Sequence, residues 1–457
     1  MDISTLPQPP SLKKTLGPSF ILLGLALGSG ELILWPYLSA NYGLGLLWGG
    51  LLGLTFQYFL NTEIIRYALA SGESVFVGFR RLNRIWPFWF ILSTFIPWAL
   101  PGFSSASAQI FAHLFGFSHP TFLAIFLLIF TGLILSFGKT LYRTMEIFQV
   151  LIISLSFPLL LYFVFRFVHL SDWFDLGRGL LGFGNNWWLF PSGLAMGSFL
   201  SAFAYSGAGG NLNLTQSYNI KEKGFGMGAY SGHITSLSSS AKTSLEGHLL
   251  ADNRLNRSRW RRWWRLATKE HFLVFWLLGF LTIVFLALLS KVLVYGHASN
   301  TSIDFLYQEA EAISYRIGSI FSFLFLFMAG SMLFSTQVGI LESSSRIISE
   351  NTFLSSDKLW HRPVNLSLGF YLALWSQIGL GIILLLLGIK EPRSLLTLGA
   401  ILNAVAIMLA FPLILVLNLR SLPSFAKTSL FRRFVILIAF LFFFFFVIFT
   451  FKQNLLN

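Results

Sequence analysis

The chain has 457 residues, 55% of them hydrophobic and 11% charged, with a formal net charge of +14 and a mean hydropathy of +0.70. That balance excludes a soluble globular domain. With no cysteine and only eight scattered histidines, disulfides, thiolate metal sites, cysteine nucleophiles and helix-spaced zinc pairs are excluded too.

Apolar stretches of about 20 residues, each able to cross a hydrocarbon core of about 30 Å as a helix, recur along the whole length. Hydropathy predicts about eleven of them. The first runs from Gly17 to Leu38, and the polar start before it, with Lys13 and Lys14, carries no small-residue cleavage site, so no removable signal is expected. The second runs from Gly43 to Arg66, the third from Pro87 to Phe115, the fourth from Phe122 to Phe137 and the fifth from Glu146 to Phe167. "GLILSFGKT" (Gly132 to Thr140) resembles a phosphate-binding loop, but five residues separate its glycines where the motif needs four. Lys139 reads instead as a charge at a membrane edge. The sixth span runs from Trp188 to Tyr218, the seventh from Phe272 to Tyr295, the eighth from Ile317 to Ile348, the ninth from Leu366 to Leu387, the tenth from Leu395 to Leu419 and the last from Phe434 to Phe451.

With the amino terminus in the cytoplasm, roughly 25 of the Lys and Arg residues fall on cytoplasmic connections and about 7 outside. The positive charge is therefore topology, and no nucleic-acid partner is expected. In "RLNRSRWRRWWRLATK" (Arg254 to Lys269) arginines alternate with Trp260, Trp263 and Trp264. The segment reads as a positive-inside loop with interfacial aromatics, an interfacial helix being the alternative. An integral protein of a bacterial inner (plasma) membrane is expected, with the lipid bilayer and a small ion or solute as its partners; oligomeric state is not legible.

Two spans carry polar interruptions. In "LGLALGSGELILWPYLSANYG" the first span places Gly28, Ser29, Gly30 and Glu31 in a row, and in "SAFAYSGAGGNLNLTQSY" the sixth breaks around Tyr205, Ser206, Gly207, Ala208, Gly209, Gly210 and Asn211. Unwound backbone at membrane depth needs protein or a watery cavity to satisfy it. Paired interruptions, each opening a run of five spans, point to an inverted-repeat transporter with substrate at the midplane. Glu31 is then a cation-facing carboxylate, since an intramembrane acid is a functional candidate by default. The competing reading is that Gly-Ser-Gly lets two helices pack closely.

At these segments the chain resembles the Nramp family of proton-coupled divalent metal transporters. "GPSFILLGLALGSGE" and "LSANYGLGLLWGGLL" have the spacing of that family's first two spans. Its D-P-G-N break matches Gly28, Ser29, Gly30 and Glu31, and its M-P-H-N break matches Ala208, Gly209, Gly210 and Asn211. The resemblance implies an all-α, leucine-transporter-like fold of five-plus-five inverted repeats with discontinuous helices 1 and 6. The repeats would cover residues 1–168 and 169–420, with a basic cytoplasmic loop near 219–270 and a peripheral eleventh helix over 421–457. It also implies a substrate site at Gly28, Glu31, Ala208 and Asn211. The departures shape the chemistry: the anionic ligand shifts to Glu31 and the thioether becomes Ala208. A site of Glu31, Asn211 and backbone carbonyls offers oxygen alone, which suits Mg²⁺ or Mn²⁺. The family's third-span acids fall on Leu100 and Phe103, so its proton route is not reproduced.

Among other polar residues, Glu63 with Arg66 and Glu342 with Arg346 read as local ion pairs. Ser105, Ser107 and Gln109 share a sector of the third span. Gln337 and Asn403 are placed near a central cavity, where helix-to-helix hydrogen bonding explains them equally well. Tyr205 reads as core or gate. No enzyme activity and no cofactor are expected. A hard divalent cation is the expected substrate; an amino acid-like solute, or a receptor or scaffold that does not transport, are the alternatives.

Overall fold

The computed structural model describes residues 3–11, 16–136, 141–231, 244–296 and 303–456; Lys139 lies outside them. Apolar residues on every face favour buried or lipid-covered helices, and the only strands described are β1 (Ile3–Ser4) and β2 (Leu249–Leu250), paired in parallel. Helix α1 (Pro18–Tyr42) starts with proline in its first turn and ends at Gly43, whose φ of 76° stops it. Then follow α2 (Leu47–Ser71), α3 (Val75–Leu82), α4 (Trp86–Trp98), α5 (Gly102–Phe115), α6 (Pro120–Ser136), α7 (Leu141–Phe167) and α8 (Leu170–Leu180). The second half holds α9 (Met196–Ala204), α10 (Gln216–Glu222), α11 (Arg254–Val294), α12 (Asp304–Ile317), α13 (Ser319–Leu354), α14 (Leu366–Leu386), α15 (Pro392–Ser421) and α16 (Leu430–Leu456).

Among the described residues, seven helices cross a membrane by length and hydropathy alone: α1, α11, α13, α14, α15, and the larger parts of α7 and α16. Trp86–Phe115 and Pro120–Ser136, bent by 120° at the break between them, add an eighth when counted as one bent span. The about eleven expected spans fall on helices except at the sixth, which is irregular before Met196 and broken after Ala204, and the shortfall has physical causes. The third and fourth are the arms of that bent pair. The second, α2, buries Gln57, Asn61, Glu63 and Arg66, a polar load that only protein neighbours can satisfy. The sixth is broken between α9 and α10.

Two expectations need correction. The basic segment is not a loop: Arg254–His271 is helical and runs without interruption through a π-helical stretch, Phe272–Leu277, into the seventh span. Its tryptophans, three and four residues apart, fall on one face, where Trp260 packs on Phe425 and Trp263 on Phe225, while Arg257, Arg261, Arg262 and Arg265 stay exposed. The start of the chain is tied to this helix: the Leu6 N–H donates to Asn256 Oδ1 (2.9 Å) and Trp263 Nε1 to the Pro7 carbonyl (2.8 Å). Chain start and basic helix therefore lie on one side.

Helix 1, in turn, is not unwound at Gly28 to Glu31. Residues Leu27–Leu34 are wound as a π-helix within a continuous span. Such a bulge keeps the backbone hydrogen-bonded while shifting the register of side chains beyond it.

α13 is the central helix, packed against α1, α4, α5, α7 and α14, while α16 lies against α9 and α15 with Leu430, Phe431 and Phe434 exposed. Exposed aromatics such as Phe122, Phe126 and Phe165 belong to the lipid-facing surface.

Candidate functional site

The sixth-span break is made by glycine. Gly209 and Gly210 have φ of 78° and 50°, a region closed to most side chains, so α9 ends at Ala204 and the chain resumes as a 3₁₀ turn over Gly210–Thr215 before α10. Gln57 of α2 holds the opened strand. Its Nε2 donates to the Ala204 carbonyl (3.1 Å), and its Oε1 accepts from Asn213 Nδ2 (3.0 Å) and the Gly209 N–H (3.4 Å). A neutral amide inside an apolar span is the same signal that singled out Gln337 and Asn403; Gln57 was missed.

Helix 1 meets this break at glycine. A methyl group on Gly30 would lie 1.9 Å from the Tyr205 carbonyl oxygen, so the absent side chain is what lets α1 touch the end of α9. Trp35 Nε1 donates to Ser206 Oγ (3.1 Å), and Ser206 Oγ donates to the Ala202 carbonyl (3.0 Å). A methyl on Gly207 would lie 2.6 Å from Gln57 Oε1. On the far side of α1 the Gly28 N–H donates to Thr336 Oγ1 (3.0 Å), whose hydroxyl donates to the Gly24 carbonyl (2.9 Å). Thr336 had no sequence signal beyond its place beside Gln337.

Glu31 is fully buried, and neither carboxylate oxygen has a hydrogen-bond partner among the described residues. A methyl built on Gly279 of α11 would sit 3.3 Å from Glu31 Oε1, 3.4 Å from Leu23 and 3.6 Å from Leu54. The carboxylate thus ends in an apolar niche between α1, α2 and α11. Asn211 faces another way: its Nδ2 donates to Ser93 Oγ (2.8 Å) and Thr94 Oγ1 (3.0 Å) of α4, leaving Oδ1 without a partner. The π-helical winding explains the divergence, because it turns Glu31 toward α11 while the break directs Asn211 toward α4. No hydrogen bond joins the two, and no group of three His, Asp or Glu residues able to hold a metal occurs among the described residues. Ala208 is buried beside the break; the Ser29 side chain is outside the described set.

The remaining candidates sort into two groups. Tyr205 stacks on Trp98 (5.5 Å) and receives a hydrogen bond from Asn403 Nδ2 at its hydroxyl (3.1 Å), while Asn403 Oδ1 lies 2.0 Å from where a methyl on Gly210 would be. This aromatic and amide box borders the break. Gln337 is structural: its Oε1 accepts the Ser104 N–H (3.1 Å) at the start of α5. Ser107 donates to the Gly330 carbonyl (2.9 Å) of α13 and Ser105 to the Lys390 carbonyl in the connection between α14 and α15, so that sector binds neighbouring backbone. Arg66 pairs with Glu63 (2.8 Å), as expected, and Arg432 joins them (3.1 Å). Arg346 pairs with Glu342 and also with Glu222 of α10, which makes it a bridge between α13 and the broken span.

No protein-family profile matches the sequence, and no curated protein does. Among solved structures the chain is similar to a mutant manganese transporter from Eremococcus coleocola, with a TM-score of 0.70 at 13% identity, covering 98% of this chain and 88% of that one. It is also similar to Mhp1, a nucleobase-cation-symport-1 family transporter solved in a closed conformation with bromovinylhydantoin bound, with a TM-score of 0.59 at 14% identity, covering 98% of this chain and 95% of that one. Likeness at such identity defines the fold: an all-α integral membrane protein built on the leucine-transporter-like inverted repeat. The two solved neighbours are described as transporters of different substrates.

Proposed function

We propose that the chain is a secondary transporter of a small cation, a hard divalent ion such as Mg²⁺ or Mn²⁺, with Glu31 supplying the charge. The repeats are assigned to residues 1–168 and 169–420, and the chain start to the cytoplasmic side. The observation that carries the reading is the fully buried Glu31 carboxylate with no partner for either oxygen. An unpaired charge there costs several kcal/mol, so it is neutralised by a proton or by a cation. The resemblance of its two interrupted spans to those of the Nramp family supports the cation, and an all-oxygen donor set supports a hard one.

In the described conformation Glu31 and Asn211 are apart, so binding requires α1 to carry Glu31 toward the break. The unpartnered Asn211 Oδ1 is the oxygen waiting on the other side. A second reading, uptake of a small organic solute, is favoured by the Trp98, Tyr205 and Asn403 box beside the same break.

Flux of Mg²⁺ and Mn²⁺ into proteoliposomes decides between them. The cation reading expects transport by the parent and its loss in Glu31→Gln, with the fold kept. If the parent moves no divalent ion under any gradient, or Glu31→Gln moves it equally well, the cation reading fails and a solute panel tests the second.

A further inference from the structure

A second titratable cluster lies well away from Glu31, where the first turn of α1 meets α11 and α10. Ser19, Gln216, Glu270 and His271 are all buried, none more than 1% exposed. Glu270 Oε1 accepts the Ser19 N–H (3.2 Å) and Oε2 lies 2.6 Å from Ser19 Oγ. Ser19 Oγ is also 2.7 Å from His271 Nδ1. Gln216 Nε2 donates to the same hydroxyl (3.4 Å), and Asn219 Nδ2 to the Pro18 carbonyl (3.3 Å). The α1 amino terminus has no side-chain cap of its own; Glu270 caps it from another helix, where a carboxylate is favoured by the free N–H groups and the helix dipole.

The hydroxyl has one proton for two neighbours, so with a neutral imidazole the two hydrogen bonds run in one of two directions. In one state the Ser19 O–H donates to a charged Glu270, and His271 donates to Ser19 from Nδ1–H, with Nε2 bare. In the other a neutral Glu270 donates to Ser19, the Ser19 O–H donates to His271 Nδ1, and Nε2 carries a proton. The second state holds one proton more and reverses both hydrogen bonds without moving a heavy atom. The balance is simple: a proton arrives at Nε2, the Nδ1 proton passes to Ser19 Oγ, and the hydroxyl proton passes to Glu270 Oε2. His271 Nε2 has no hydrogen-bond partner among the described residues, and the ring is held between Tyr58 (5.6 Å, 12°) and Phe275 (4.7 Å, 8°).

We propose that Ser19, Glu270 and His271 form a proton-binding relay that latches the first turn of α1 to α11. The charged state holds the latch; the added proton neutralises the cap and frees the turn to swing from α10 and α11. The groups facing the relay from the surrounding helices are Tyr58 with Arg432 beside it, Tyr142 and Glu146 of α7, and Glu222 and Lys223 at the end of α10. Lys223 is paired with Glu146 (2.6 Å) and Glu222 with Arg346, so neither is a competing free charge. The purpose assigned to the latch rests on the transporter reading; its existence does not.

The chain has no cysteine, so a single introduced thiol reports opening directly. Ile220→Cys, fully buried on α10, is labelled with a maleimide in liposomes, and its rate is divided by that of exposed Ser258→Cys to remove thiol chemistry. From about pH 8.5 to about 5.5 the normalised rate is expected to rise about fivefold or more. Glu270→Gln, neutral at every pH, is expected to be fast and flat. Ser19→Ala, which cuts the relay without changing charge, is expected to lose the pH response, and it decides the matter should Glu270→Gln fail to elute as a monodisperse species. A flat parent rate, or a pH response kept in both variants, overturns the proposal. Labelling needs no substrate, so absent divalent flux would sink the cation reading and leave this result standing.

Discussion

Gly30→Ala tests the central contact of the fold. The added methyl would lie 1.9 Å from the Tyr205 carbonyl oxygen and 2.5 Å from its carbon, whereas unstrained contacts lie near about 3.5 Å. The obstacle is backbone, and it is held: Tyr205 stacks on Trp98 at 5.5 Å and is bonded to Asn403 at 3.1 Å. Relief therefore requires α1 and α9 to part by about 1.5 Å, which puts the cost at the upper end of overpacking, about 3 kcal/mol. Gly279→Ala is the internal control. Its methyl meets nothing nearer than Glu31 Oε1 at 3.3 Å, and its cost should stay below about 1.5 kcal/mol, offset in part by alanine's better helix propensity. Thermal unfolding of the detergent-solubilised protein, followed by fluorescence-detected size exclusion, should show Gly30→Ala melting several degrees below both the parent and Gly279→Ala. Equal melting temperatures for the two alanine variants would refute the packing argument and imply that α1 and α9 do not touch at Gly30.

Glu309 of α12, outside the candidate spans, is fully buried against Ser290; burial pushes its carboxyl up to about 8 from 4.5, the Ser290 hydroxyl opposing weakly. A raised folded-state value gives stability that is whole below pH 4.5 and is lost as the pH climbs through about 8, worth about 5 kcal/mol. The parent's melting temperature should fall between about pH 5 and about pH 9 while Glu309→Gln stays flatter; parallel curves would place Glu309 in water. For sidedness, Ser258→Cys on the basic helix should resist a membrane-impermeant maleimide in intact cells and react after lysis, and ready labelling of intact cells would reverse the orientation.

The sixth-span break was legible because Gly209 and Gly210 adopt positive φ, a local demand that sequence displays. The first-span glycines looked alike and serve the competing purpose: Gly30 is small so that α1 can reach the Tyr205 carbonyl, and Gly28 so that it can reach Thr336. Whether a glycine run unwinds or packs depends on what faces it, which no local pattern records. The basic segment was misread for a related reason, since counting its charges hid the helical spacing of Trp260, Trp263 and Ala267, the buried face of the helix. Glu270 was invisible as a partner of Ser19 because 251 residues separate them; only the fold brings the start of α1 against the middle of α11.

The contacts along α1 differ in kind, and the difference bears on how such a helix could move. At its start it is held by Glu270 and Asn219; in the middle Thr336 clasps the Gly24 carbonyl and the Gly28 N–H; within the π-helical stretch Gly30 abuts Tyr205, and just beyond it Trp35 is tied to Ser206. The middle and far contacts use backbone groups, a neutral hydroxyl and an indole, none of which titrates near neutrality. The near contact alone hangs on a carboxylate and an imidazole. A change of proton occupancy can therefore loosen the first turn while leaving the middle as a fixed point, and the π-helical stretch lies between that fixed point and Trp35. Swinging the first turn about Thr336 would disturb the winding of Leu27–Leu34, the segment that sets the direction of Glu31, so a proton taken up at the near end of α1 is felt at the buried carboxylate twelve residues further on.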